Sequence, residues 1–161
     1  MSRALIVYHT KTGHTRQAAE DIAAGLTESS EVTVDLKLAA AMPAVDLAAY
    51  DLIIVGSPCW AGSLRVLFSG VAGPIARWLG GLATDALKGK AVAAFSVNCS
   101  FGGHATVEGL EGVLSDVGGQ VVLPGVVVKA GAPLSLWSGP DASAEDREKL
   151  RQFGRELARD L

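Results

Sequence analysis

Residues Ala4–Ala19 read ALIVYHTKTGHTRQAA, an apolar run that halts at a short polar loop and passes at once into an amphipathic helical pattern. A strand that feeds a tight, hydroxyl-rich loop and then a helix leaves the first backbone N–H groups of that helix without intrahelical partners. With the positive end of the helix dipole, these groups form a seat for an anion. The stretch therefore predicts both a local fold and a first site, with a phosphate as its expected occupant.

The same alternation continues along the chain and predicts an α/β fold with a parallel sheet. Ala4–Tyr8 is the first strand, and a helix from Thr15 carries Ala18, Ala19, Ile22 and Leu26 on one face. Val32, Val34, Leu36 and Leu38 alternate with polar residues, as on an edge strand. Leu52–Val55 and Ala91–Val97 are unbroken apolar runs, as expected of strands covered on both faces. The last strand, Val121–Val128, contains Pro124, which cannot donate to a ladder and so marks an edge or a bulge. Two edges and three centres fit a doubly wound, three-layer α/β/α fold with a five-stranded parallel sheet in the order 2-1-3-4-5. Further helices are expected within Val71–Leu79, opened by Pro74, and over Thr106–Val117, stopped by Gly118-Gly119. The last helix starts at Ser143, three residues before Asp146, with Leu150, Phe153, Leu157 and Leu161 as its inner stripe.

Size and composition bound the function. The 161 residues are expected to form a single domain, 1–161, with 49% apolar and 19% charged residues, a core-rich globular composition. The net charge of −3 without a basic block excludes a dedicated nucleic-acid binder. No apolar run approaches the roughly 18 residues that span a bilayer, so no membrane span is expected. The N-terminus shows neither the hydrophobic region nor the cleavage site of a signal peptide. Cys59 and Cys99 are too few and too far apart for a zinc cluster, so no metal site is expected, and they read as reduced thiols of a cytoplasmic protein.

In this topology the carboxyl ends of strands 1, 3 and 4 lie side by side where the strand order reverses. The residues that follow them are Thr10-Lys11-Thr12-Gly13-His14-Thr15, then Gly56-Ser57-Pro58-Cys59-Trp60-Ala61-Gly62-Ser63, then Asn98-Cys99-Ser100-Phe101-Gly102-Gly103-His104. One loop suits an anion; the other two each set an aromatic among small residues. Tyr8-x-Thr10-x-x-Gly13-x-Thr15 after an apolar strand resembles the FMN-phosphate signature of the flavodoxin-like family, and the resemblance extends through Gly56–Trp60 and the strand-4 loop.

The resemblance implies non-covalent FMN across the three loops: Thr10 to Thr15, then Ser57, Pro58, Cys59, Trp60, Ala61 and Gly62, then Asn98, Cys99, Ser100, Phe101, Gly102 and Gly103. The amides of residues 11–15 and the hydroxyls of Thr10, Thr12 and Thr15 suit the phosphate, with Lys11 and His14 the cations nearby. Trp60 and Phe101 would pack on the flavin ring. A well-capped helix start and two core aromatics are the simpler alternatives.

Ala61 stands where one-electron carriers of the family often have glycine, and the chain is not strongly acidic. Both departures point to two-electron chemistry, as in NAD(P)H-dependent reduction of a quinone or flavin; the alternative is a non-enzymatic one-electron carrier serving a protein partner. His104 is a candidate catalytic hydrogen-bond donor, or an exposed helix-start histidine with no task. Trp137 is expected to pack under the last helix, with a pocket wall or an oligomer contact as the other options.

Two rivals compete. Cys59-x-x-Gly62-x-x-Arg65 fits the loop of cysteine-dependent phosphatases, although Val66 and Pro58 depart from that pattern. A receiver domain would use Lys129 but needs acidic residues where the chain has His9-Thr10 and Gly56-Ser57, and that reading fails.

Overall fold

The computed structural model describes residues 1–28, 31–42, 47–59, 70–132 and 137–161. Its elements are β1 (Ser2–Tyr8), α1 (His14–Thr27), β2 (Val32–Leu38), two short 3-10 turns (Ala39–Ala41 and Leu47–Ala49), β3 (Leu52–Pro58), α2 (Gly73–Gly80), β4 (Ala91–Asn98), α3 (Gly103–Asp116), β5 (Gln120–Val121), β6 (Val126–Lys129) and α4 (Ala144–Arg159). The strands pair in parallel in the order β2-β1-β3-β4-β5, with β6 also on β4. The expected order 2-1-3-4-5 is the observed one.

Because successive strand residues point to opposite faces, the central strands build two cores at once. Ala4, Ile6, Leu52, Ile54, Ala93 and Phe95 pack against Ala18, Ile22 and Leu26 of α1 and Leu150, Phe153 and Leu157 of α4. Leu5, Val7, Ile53, Val55, Val92 and Ala94 pack against Ile75 and Leu79 of α2 and Val107, Leu110 and Leu114 of α3. Burial on both faces explains why these strands read as unbroken apolar runs; each fully buried Leu or Ile is worth roughly 1.5–3 kcal/mol. Gly56 and Phe95 are register partners, and a Cβ on Gly56 would stand 2.0 Å from the Phe95 ring. The glycine at the end of β3 is thus a notch for the aromatic of β4.

The largest departure from the expected elements is the final strand. Instead of one run over Val121–Val128, β5 pairs Val121 with Val92 while β6 pairs Val126 with Phe95. Two residues of β4, Ala93 and Ala94, therefore face four, Val122–Gly125, around Pro124. Glu111 of α3 compensates the lost ladder by accepting the Gly125 N–H at 2.6 Å.

Helix boundaries follow the caps. Ser143 Oγ accepts the Asp146 N–H at 3.0 Å, as expected of a capping residue. α3 begins at Gly103, three residues before the expected start, because Gly102 adopts φ 88° and turns the chain into the helix. Leu161 lies beyond the end of α4 and is 37% exposed, so the inner stripe ends at Leu157. Among the described residues no helix is long and apolar enough to cross a membrane.

Candidate functional site

The register places the ends of β1, β3 and β4 side by side: Tyr8 is opposite Gly56, and Gly56 opposite Phe95. The three loops singled out by sequence therefore share one rim.

On the first loop, Gly13 takes φ 98°, caps α1 without a side-chain bond, and donates its N–H to Thr10 Oγ1 at 3.0 Å. Thr10 thus shapes the turn. The His9 N–H donates to Gly56 O at 3.3 Å, stitching the loop to β3. Among the described residues nothing accepts from the amides of Lys11, Thr12, His14 or Thr15. Lys11 and Thr12 are exposed, Thr15 is buried, and the first turn of α1 holds no acidic residue. Unclaimed N–H groups at a helix start without a competing carboxylate make an anion seat.

The His14 ring reaches the loop before α4. Nε2 contacts Ser138 O in a short hydrogen bond, and Nδ1 lies 3.5 Å from Asp141 Oδ1. Ser138 and Asp141 were not legible as neighbours of this loop, since no local pattern links positions 124 residues apart.

On the second loop, Ser57 is fully buried; its Oγ accepts the Ala72 N–H at 2.8 Å and donates to Pro58 O at 3.0 Å. It anchors the chain entering α2. Pro58 is half-buried at the end of β3. Cys59 is buried, donates its N–H to Val97 O at 2.9 Å, and points its thiol at Phe101 O, 3.5 Å away. This thiol joins the second loop to the third. Trp60, Ala61, Gly62 and Arg65, on which the ring-stacking and phosphatase expectations depend, lie outside the described residues.

On the third loop, Asn98 is 5% exposed and its Oδ1 has no partner among the described residues, while its backbone O accepts the Ala130 N–H at 3.0 Å. A buried amide oxygen without a donor is the kind of orphan that a bound polar group satisfies. Cys99 Sγ lies 3.7 Å from Ser100 Oγ. Phe101 is 70% exposed, so it is not a core aromatic. A Cβ on Gly102 would stand 2.8 Å from Cys59 Sγ, and one on Gly103 2.4 Å from Val127 Cγ1, so both glycines allow close packing. Thr106, not anticipated from sequence, bonds Gly102 O through Oγ1 at 3.1 Å and fixes the entry to α3.

His104 is exposed on the first turn of α3 and makes no hydrogen bond or ion pair among the described residues. Trp137 is 61% exposed and does not pack beneath α4 as expected. The inner stripe of α4 is already filled by contacts to α1 and the sheet. The described His, Cys, Asp and Glu residues form no group able to hold a metal ion.

Comparison with known proteins agrees with this arrangement. The family model described as Flavodoxin matches residues 6–136. The chain is 29% identical over 167 aligned residues to a flavodoxin of Aquifex aeolicus, covering 98% of this chain and 86% of that protein. It is 39% identical over 61 residues to a flavodoxin of Maridesulfovibrio salexigens, covering 37% of this chain and 41% of that one. The crystal structure of oxidised Flavodoxin 1 from Bacillus cereus superposes with a TM-score of 0.77 at 24% identity, covering 99% of both chains. With a matching family model over most of its length and a doubly wound sheet whose loops meet on one rim, this chain belongs to the flavodoxin family.

Proposed function

We propose that the chain is an FMN-binding electron carrier serving a redox protein partner, with residues 1–161 acting as one domain. The observation that carries this reading is the start of α1, where unclaimed amides follow a left-handed Gly13 at the end of β1 in a member of the flavodoxin family. The residues suit FMN on physical grounds. Lys11, Thr12, His14 and Thr15 offer N–H donors, and Thr12 and Thr15 hydroxyls, to a phosphate, with no carboxylate in the first turn to repel it. Asn98 offers a buried acceptor without a donor among the described residues, and Phe101, on the same loop, an exposed aromatic surface. Trp60, Ala61 and Gly62 complete the proposed set from the second loop.

FMN, when bound, supplies the reversible storage of electrons. The chain's own work is to seat and shield it: helix α1 neutralises the phosphate, and the loops after β3 and β4 exclude water from the ring. Cys59, Ser57 and Thr106 act beneath them by tying the loops to each other and to the helices.

The relatives favour the carrier over the NAD(P)H-dependent reductase that Ala61 and the modest charge had suggested, since the curated relatives are named flavodoxins. A cytoplasmic setting belongs to the same proposal.

The purified protein tests it. A yellow product, or uptake of added FMN with loss of flavin fluorescence, is expected; a colourless protein that leaves FMN fluorescence unchanged overturns the proposal. Reduction in two resolved one-electron stages, without oxidation of NADH or NADPH, marks the carrier. Steady NADPH oxidation with a quinone acceptor marks the reductase.

A further inference from the structure

His14 opens α1 within the anion loop, yet its side chain is engaged at the far end of the chain. A carbonyl oxygen only accepts, so Nε2 is the donor in its contact with Ser138 O. The ring is 9% exposed and fits against Gly131, where a Cβ would stand 3.2 Å from His14 Cδ2. Gly131 itself is held: its N–H donates to Pro140 O at 2.8 Å, and a Cβ on Gly139 would stand 2.3 Å from the Gly131 carbonyl carbon. The backbone that receives the ring is therefore closed on itself, with Ala130 tied to Asn98 of the third loop. On the other side of His14, Gly13 is left-handed and no side chain caps α1; the Thr10–Gly13, His9–Gly56 and Gln17–Gly13 bonds hold the turn into the helix.

We infer that His14 is a positioning residue: it clamps the first turn of α1 to Gly131 and Ser138, and so holds the unclaimed amides of Lys11, Thr12, His14 and Thr15 in a phosphate-binding arrangement. Amide clusters bind anions through many weak bonds that must point to one place, and affinity falls when the arrangement must be ordered on binding. A clamp from a distant backbone supplies the order that a serine or aspartate cap gives elsewhere. The inference rests on the FMN reading of the loop and adds to it a residue that acts through backbone placement rather than through charge on the phosphate.

The test titrates FMN and riboflavin, which lacks the phosphate, into apoprotein of the wild type, His14→Ala, His14→Gln and Gly131→Ala. His14→Ala is expected to weaken FMN binding roughly three- to tenfold, the loss of about one hydrogen bond, with riboflavin binding unchanged. His14→Gln keeps an N–H donor and should restore most of the FMN affinity. Gly131→Ala puts a Cβ on a residue at φ 86° and 3.2 Å from the His14 ring, so it disturbs the clamp from outside the loop and should reproduce the selective loss. Unchanged FMN affinity in His14→Ala, a parallel loss of both flavins, or a His14→Gln protein as weak as His14→Ala would each overturn the positioning role. The last outcome would assign His14 to the phosphate as a cation. A wild type that takes up neither flavin overturns the FMN reading, and the clamp with it.

Discussion

Arg147 of α4 grips Asp21 of α1 with two parallel bonds, Nε to Oδ2 at 2.8 Å and Nη2 to Oδ1 at 3.0 Å. Arg151, one turn further along α4, adds a third bond to Oδ1 at 3.0 Å. Asp21 is 3% exposed, so its charge is tolerated between the helices only because these partners satisfy it. Asp21→Ala is expected to cost about 2–3 kcal/mol, less than a fully buried pair because both arginines can regain water. Arg147→Ala should cost less, since Arg151 still serves the carboxylate. Urea unfolding of both variants checks the order; equal losses would contradict the sharing.

The same crossing depends on two glycines. A Cβ on Gly25 would stand 2.0 Å from Arg151 O, and one on Gly154 2.3 Å from Ile22 O, backbone atoms that no rotamer change can move. Gly154→Ala should therefore cost about 3 kcal/mol or more, read as a fall in thermal midpoint. Gly112, exposed within α3 with nothing within 4 Å of its Cβ position, is the control. There the same substitution should stabilise by about 0.5–1 kcal/mol.

Tyr50 OH donates to Asp35 Oδ2 at 2.7 Å, and this bond, helped by Arg3, holds the Asp35 carboxyl below its ordinary range. A carboxylate whose pKa is lower in the folded state stabilises the fold above its unfolded pKa and loses that contribution as pH falls through the folded value. Tyr50→Phe should cost about 1 kcal/mol at neutral pH. The gap to wild type should narrow below about pH 4. A gap independent of pH in urea titrations would show that the hydroxyl, not the charge it meets, matters.

Thr12 is exposed at the loop tip, while Thr10 bonds the Gly13 amide. Thr12→Ala should leave the unfolding free energy within about 0.5 kcal/mol of wild type and weaken FMN binding roughly threefold. Thr10→Ala should lower both FMN affinity and stability, by about 1 kcal/mol, because it frees the turn itself. Paired calorimetry of binding and unfolding separates the two roles.

Much of this architecture was legible because sheet position leaves a mark on composition. Leu52–Val55 and Ala91–Val97 are unbroken because both faces are covered; Val32–Leu38 alternates because β2 is an edge. The rim followed from strand order, which brings the three loops together whatever their sequences. What sequence hid are contacts between distant segments. Asp21 reads as a solvated helix position until Arg147 arrives from 126 residues away. Gly25 and Gly154 read as weak points in helices until each is seen to admit the other's backbone. Trp137 has no periodic neighbours in the sequence to place it, and it is 61% exposed.

The surplus between β5 and β6 bears on how this chain can be altered. Every pairing of β6 with β4 is set after the detour, and every pairing of β5 before it, so added length at Leu123-Pro124 shifts no register. The opposite border is unforgiving. β2 runs without interruption from Ser2↔Val32 to Tyr8↔Leu38, and one extra residue there would turn all later side chains to the wrong face. A peptide tag or a grafted loop therefore belongs at the proline detour, where the ladder on each side is already independent of the other.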